Sequence, residues 1–587
     1  MLRAALFVLL AAFTRTVLSQ QISFNLPKKL ITSQLSRFIQ DLIATEHIPG
    51  LTLGLVHSDG QVEHGAWGRK DEDGSSTTVD TSFILASCSK AFLSASMGIL
   101  MEDFAQGKNV TALPPHVNVF DWDTKVVDLL PEEWRLQDEW ATKKVNIRDM
   151  LSHVSGIPRH DYSPVSTNSP HEILLNLRNL RPTYELREKW SYNNLMYISA
   201  AHLISVYSGI PYTDFVNKGI FIPLNMSSTT YSPAEAARDN DLTQSWTPTG
   251  RRIPTWFSDA TRDLNAGPGG VISNAVDMTK WLNALLNKGV HKDTNTTVIP
   301  GSVLDAVTTS HAIVSGRGTS PHTSISGYGM GWSRVSYGGH EFVSHSGGIP
   351  GFSTMVGFLP ADDLGIVVLA NADAKHDAEI KLIMRIIRDA VGLDISDWED
   401  VPSLTPKASL RLQKLAGPGL RTPIERFAGR YWDAGYGNLT LCAPKSTSPE
   451  CREVLKTFSI FDDVTSEENR NTLYAAYPTM WSSHLRMTYV GPDDEDFVLS
   501  FTSLFPEGYG KDSAPFETSE EGEAEAEVKF VINLGVESGG YGVKVVAFCV
   551  MGGEEEQEGR KRLLRSAGAG YSILDVAEAV MTRVGDE

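Results

Sequence analysis

The stretch FILASCSKAFLSASMGILMEDF, residues 83–104, is apolar or small at almost every position, yet Ser87, Cys88, Ser89 and Lys90 stand in a row inside it. Apolar residues on nearly every side predict a helix buried in the middle of a domain. An ammonium group in such a helix is costly unless it is paired or loses its proton. No Asp or Glu stands close to Lys90 in the sequence to pair with it. Ser87 precedes it by one helical turn on the same face, where a lysine amine reaches a serine hydroxyl. Burial pushes a lysine toward the range in which it relays a proton, and a weak serine nucleophile then becomes a usable one. Ser-x-x-Lys also arises by chance, and a lysine that snorkels to the surface is the competing reading. The surrounding chain decides between the two.

Upstream, TSQLSRFIQDLIATEH carries Leu35, Ile39, Leu42 and Ile43 at a helical period, and GLTLGLVHSDGQVEHGAWGRKD alternates on both sides of Asp59 and Gly60, a β-hairpin signal. Residues 105–310 read as mainly helical and irregular, with AVDMTKWLNALLNKG an amphipathic helix ended by glycine. From Tyr328 to Asn371 the runs YGMGWSRVSY, HEFVSH, FSTMVGFL and LGIVVLAN, separated by turn residues, predict an antiparallel meander, and a helix follows near residues 375–392. The early hairpin and the late meander can share one sheet with helices packed over it, an α/β sandwich closed by both ends of the domain.

Residues 400–425 contain four prolines and no sustained period, which reads as a linker. Beyond it, GRYWDAGYGNLTLC, LRMTYVG, DFVLSFTSLF and VKFVINLGV predict a second, all-β domain over residues 426–587, and the acidic run SEEGEAEAE reads as a solvated loop. Two domains suit a chain of 587 residues.

Residues 1–19 show a basic Arg3, a short apolar run from Ala4 to Phe13 and small residues near Ser19, the pattern of a secretory signal rather than a membrane span. Cleavage after Ser19 removes Arg3 and Arg15 and takes the formal net charge from −19 to −21. That acidity argues against nucleic acid and against an anionic membrane surface as partners. Sequons at Asn109, Asn225, Asn295 and Asn438 fit a secreted, extracellular glycoprotein. Of the four cysteines, Cys442 and Cys451 flank the polar loop APKSTSPE and can close it as a disulfide in an oxidising compartment, while Cys549 lies in an apolar run and reads as a core residue.

Two more elements bear on Lys90. Tyr192 and Asn194, in REKWSYNNLMYISAAHLISVYSG, precede an apolar helix; a phenol beside a lysine is a plausible general base, and a helix cap is the plainer reading. In FVSHSGGIPGFSTMVGFLP a strand ends in His345, Ser346, Gly347 and Gly348, where the Gly348 N–H can serve as an oxyanion donor. His153, His160, His340 and His345 lack zinc-ligand spacing, so no metal site is read.

Taken in order, Ser87-x-x-Lys90, Tyr192-x-Asn194 and His345-x-Gly347, with MLSHVSGIP from Met150 and AGPGGVISNAVDMTKWL from Ala266, resemble the class C β-lactamase-related serine hydrolases, a family with esterases, transesterases and D-amino-acid peptidases. The resemblance spans roughly residues 30–395, within a domain read as residues 20–399. It implies a β-lactamase/transpeptidase-like α/β sandwich, a C-terminal lipocalin-like barrel, no cofactor, and an acyl-enzyme formed on a small ester or amide. It also implies Ser87 as nucleophile, Lys90 as its proton relay, Tyr192 as general base and acid, Asn194 on the substrate, and Gly348 with Ser87 as oxyanion hole. Acyl transfer to an alcohol or amine uses the same intermediate, and a disabled scaffold that only binds is the alternative from another class. His345 stands where true β-lactamases usually carry lysine. A neutral imidazole there leaves the site without a fixed cation for a substrate carboxylate, so neutral esters and compact amides are the expected substrates.

Overall fold

The computed structural model describes residues 29–586 apart from 58, 239–240, 394–409, 412–419, 468, 492, 494–495, 519–522, 525, 534–541, 551–552 and 567–572. Residues 1–19, expected above to be a secretory signal, and most of the expected linker lie outside the described residues.

Helix α1 (Ser33–Thr45) is capped by Thr32, whose hydroxyl accepts from the Leu35 N–H, and it buries Leu35, Ile39 and Leu42. Strands β1 (Gly50–Val56) and β2 (Val62–Gly68) form the expected hairpin. Helix α2 (Ser89–Ala105), α3 (Asn194–Ser208) and α4 (Ala275–Leu286) lie in the long middle region. The late strands are β3 (Ala312–Ser315), β4 (Ser326–Tyr328), β5 (Ser333–Tyr337), β6 (His340–Ile349), β7 (Phe352–Leu359) and β8 (Leu364–Ala370), followed by α5 (His376–Val391). Early hairpin and late meander share one antiparallel sheet in the order β2-β1-β8-β7-β6-β5-β4-β3, with β1 as the seam against β8. Strands β1, β7 and β8 are buried at every residue because both faces are covered. Leu51, Leu53 and Leu55 share a core with residues of α1 and α5, while a Cβ at Gly54 would meet Thr279 and Ala275 of α4 on the other face. Alternate residues of one strand thus serve two cores.

Within this domain the structure departs from the sequence expectation at two places. The run YGMGWSRVSY is not one strand: it breaks between β4 and β5 at Gly331, whose φ is +80°. A Cβ there would lie 2.7 Å from the Lys90 carbonyl oxygen, so close passage against α2 requires glycine. The helix expected from residue 83 begins only at Ser89. Phe83 and Ile84 pair with Ile272 and Ser273, and Ala86–Cys88 form a 3₁₀ turn that carries Ser87.

The C-terminal strands are β9 (Gly429–Asp433), β10 (Gly437–Leu441), β11 (Thr472–Ala476), β12 (His484–Tyr489), β13 (Asp496–Thr502), β14 (Ala526–Asn533), β15 (Gly542–Val550) and β16 (Ala579–Gly585). Each pairs with its neighbour in sequence except β10 and β11, and β16 returns to β9. Reciprocal bonds between Cys442 and Tyr474, at 2.8 and 2.9 Å, join the remaining edges. The result is a closed up-and-down barrel of the kind implied above. Phe427, Phe497 and Phe530 pack together in T-shaped and tilted pairs, with ring centres 4.8–5.2 Å apart. The region is strand-rich but not all-β, since α6 (Pro449–Phe458), α7 (Gly553–Ser566) and α8 (Ile573–Val576) belong to it. Cys442 and Cys451 are disulfide-bonded, and the loop they close joins a strand to α6. Part of the acidic run is strand, with Glu523–Ala524 paired to Leu410–Arg411. The side chain of Cys549 lies outside the described residues.

Candidate active site

Ala86 carries a φ of +47°, a left-handed conformation that costs a residue with a Cβ about 1–2 kcal/mol. The bend ends the short strand and turns Ser87, which is partly accessible, out of a surrounding that is otherwise buried. On the first turn of α2, Lys90 is fully buried, and its Nζ lies 3.0 Å from Ser87 Oγ, 2.8 Å from Asn194 Oδ1 and 2.8 Å from the Pro268 carbonyl oxygen. The Tyr192 hydroxyl donates to Ser87 Oγ at 2.7 Å. The structure therefore brings Ser87, Lys90, Tyr192 and Asn194 together. The cap of α3 is Asn193, whose side chain accepts from the Met196 N–H, which leaves Asn194 free to face Lys90.

Burial pushes the Lys90 ammonium well below the usual lysine range, helped by Arg159 and opposed by Asp161. Burial moves the Tyr192 phenol the other way, well above its ordinary value. A neutral amine has two N–H bonds and one lone pair. Asn194 Oδ1 and the Pro268 carbonyl take the two N–H bonds, which leaves the lone pair for the Ser87 hydroxyl proton. Tyr192 then stands as a neutral donor to the same oxygen. With its ammonium disfavoured by burial, Lys90 can share in moving the Ser87 proton, beside the Tyr192 hydroxyl that contacts the same oxygen.

Strand β6 runs beside the nucleophile turn. Its pairing with β5 ends at Ser344, and beyond that point Cys88 Sγ contacts the His345 carbonyl oxygen at 3.1 Å. A Cβ on Gly347 would lie 2.2 Å from the Leu85 carbonyl oxygen, so glycine permits the approach; Gly348, next along, is exposed. His345 is 6% exposed, with Nε2 2.9 Å from the Tyr328 hydroxyl, and burial with Lys90 nearby pushes its pKa down to about 3. The cysteine in the opening run is inert by the same cause, its thiol pushed up to about 12 by burial.

Four further residues belong to the site and were not assigned to it from sequence. His153 is fully buried at a φ of +61°, stacks near Tyr192 with ring centres 4.4 Å apart, and accepts the Asn193 N–H on Nδ1. Tyr328 holds His345. Asp161 accepts from Asn194 Nδ2 at 3.0 Å and from Arg159 Nε at 2.8 Å, which fixes the amide so that Oδ1 faces Lys90. Arg159 lies over the Tyr192 ring, its guanidinium carbon 5.1 Å from the ring centre. The segment MLSHVSGIP entered only through family resemblance; what His153 and the neighbouring Asp161 hold is set by contacts to Asn193 and Asn194, more than thirty residues away.

A sequence profile of the Beta-lactamase family matches residues 35–389, more than half of the chain. The chain belongs to the beta-lactamase family. As a member of that family it is a serine hydrolase of the β-lactamase/transpeptidase fold. It is 28% identical over 420 residues to the unguisins hydrolase ungD' of Aspergillus campestris, covering 67% of this chain and 74% of that protein. Protein flp of Staphylococcus aureus is 24% identical over 353 residues, 58% of this chain and 64% of that protein. Among solved structures, the octameric penicillin-binding protein homologue from Pyrococcus abyssi superposes with a TM-score of 0.51 at 17% identity, covering 89% of this chain and 98% of that one. This last likeness is one of fold, and its coverage extends beyond the family's own match in this beta-lactamase-family chain.

Proposed function

We propose that the protein is a secreted hydrolase that cleaves a small ester or amide through an acyl-enzyme on Ser87. The observation that carries this reading is Ser87 Oγ held between Lys90 Nζ at 3.0 Å and the Tyr192 hydroxyl at 2.7 Å, with the amine fully buried and its pKa pushed down by that burial. The Ser87 proton passes to Lys90 as Oγ attacks the carbonyl carbon. The oxyanion that forms is received by the backbone N–H groups of Ser87 and Gly348. Tyr192 gives its proton to the leaving alcohol or amine and is recharged by Lys90, and water then repeats the sequence in reverse to release the acid. Asn194 holds the substrate's polar flank and the amine together. The intact nucleophile and relay count against a scaffold that only binds. Secretion is supported by the signal pattern, by the disulfide, and by the exposure of Asn109, Asn225, Asn295 and Asn438.

Labelling with a fluorophosphonate followed by peptide mapping tests the assignment. Modification of Ser87 is expected, and a probe found on another residue, with Ser87 unmodified, would remove the acyl-enzyme.

A further inference from the structure

Of Lys90, His153, His345 and Arg159, only Arg159 is held toward its charged form. Lys90, His153 and His345 are all pushed toward the uncharged form by burial. Arg159 keeps its charge although burial opposes it, because Asp161 lies beside it. Its bonding is lopsided. Nε donates to Asp161 Oδ2, while among the described residues the two terminal nitrogens have no hydrogen-bond partner, and the side chain is 39% exposed. Both Asp161 oxygens are committed, Oδ2 to Arg159 and Oδ1 to Asn194. The guanidinium is thus pinned at one edge and open at the other, over the ring of the tyrosine whose hydroxyl touches the nucleophile. An open guanidinium edge matches a carboxylate with two parallel N–H···O bonds. Ordering cost is small because the side chain is already held by a salt bridge and a ring face.

We propose that Arg159 is a specificity-determining residue that receives a carboxylate of the substrate, so that the enzyme favours acyl donors with a carboxylate a few bonds from the scissile carbonyl. This inference rests on the acyl-enzyme reading of Ser87. It reverses the expectation drawn from His345 alone: the fixed cation is present, carried by a different loop and approaching from the Tyr192 side.

The test uses the full chain and two esters of equal acyl length, 4-nitrophenyl hydrogen succinate and 4-nitrophenyl butyrate. The kcat/KM ratio of the anionic to the neutral ester is expected to fall roughly ten- to a hundredfold in Arg159→Met, through KM for the succinate, the scale of a lost charge-assisted pair. Arg159→Lys should fall between, since it restores charge without the fork. An unchanged ratio, or equal losses on both esters, overturns the proposal, because a purely structural arginine would not distinguish the two. If Arg159→Met does not fold, Arg159→Gln replaces it, and product-side competition in the unmodified enzyme gives an independent reading: succinate must inhibit more strongly than butyramide, and the reverse order overturns the proposal. Ser87→Ala separates the two layers. Loss of turnover of both esters in that variant with an unchanged Arg159→Met ratio sinks only the role of Arg159, whereas persisting turnover sinks the acyl-enzyme itself.

Discussion

At the scale of single residues the site is a chain of hydrogen bonds running Arg159, Asp161, Asn194, Lys90, Ser87, Tyr192. Removing the nucleophile by Ser87→Ala should lower kcat by on the order of 10⁴ to 10⁶ in steady-state assays. Lys90→Ala and Tyr192→Phe share one proton path, so each should cost nearly as much as the double variant, and independent, multiplicative losses would show that they do not act as a unit. His345 gives a pH prediction with a definite sign. A histidine held down to about 3 stays neutral through the working range, so it contributes no inflection to kcat/KM between about pH 5 and 8. His345→Gln should leave the position of the acid limb unmoved; a limb that shifts in that variant would mean the imidazole titrates in the working enzyme. The sequence disclosed Ser87, Lys90, Tyr192 and Asn194 because each sits in a short spaced motif. Arg159 and Asp161 carry no such spacing to the nucleophile, and their importance comes from long-range contacts to Asn194 and Tyr192 that periodicity does not encode.

At the scale of elements, α5 presents a buried acid in its first turn. Glu379 is 1% exposed, its Oε2 3.0 Å from His376 Nδ1 and its Oε1 without a hydrogen-bond partner in the described residues. Burial raises its pKa from 4.5 to about 7, against the pull of His376. The folded state therefore binds the extra proton between those values, and this group's contribution to stability falls as pH rises through pH 4.5–7, by about 1–3 kcal/mol. Glu379→Gln should flatten the decline, raising the unfolding temperature at pH 8 relative to the unmodified protein while changing it little at pH 4; a parallel shift at both pH values would rule out titration as the cause. The elements themselves were legible where one period prevailed. Leu35, Ile39 and Leu42 announce α1, and the alternation about Asp59 announces the first hairpin. The start of α2 was not legible, because the left-handed turn at Ala86 is imposed by packing under β6 and no glycine marks it. Nor was the break at Gly331, where a strand-like run yields to the passage of the Lys90 backbone.

At the scale of the whole molecule, the barrel grips the segment that bears Arg159 and Asp161. Tyr162 stacks on Phe501 with ring centres 3.6 Å apart, Ser163 Oγ donates to the Gly435 carbonyl at 2.7 Å, and the Met480 N–H donates to the Pro164 carbonyl at 2.9 Å. Between Arg159 and Asp161 stands His160, 2% exposed and at a φ of +42°, with Nε2 2.9 Å from the Arg181 carbonyl oxygen and Nδ1 2.7 Å from the Tyr436 hydroxyl, which donates in turn to Glu578. A non-glycine residue persists in that conformation only when its surroundings over-determine it, and here the barrel supplies two of the contacts, from Tyr436 and Glu578. Tyr436→Phe deletes the hydroxyl that contacts both His160 and Glu578, whose imidazole and carboxylate already lie 3.3 Å apart, and should cost about 0.5–1.5 kcal/mol in chemical denaturation. Because His160 stands between Arg159 and Asp161, the same change should release the arm that orients Asn194 and lower kcat/KM, on the order of tenfold if about 1.4 kcal/mol of positioning is lost. Trp432→Ala, at a 47% exposed barrel residue, serves as the control and should alter neither quantity much. Lower stability with kcat/KM intact would make the barrel a stabilising appendage and nothing more; loss of both in Tyr436→Phe would make it a working wall of the active site, reaching Lys90 through His160, Asp161 and Asn194.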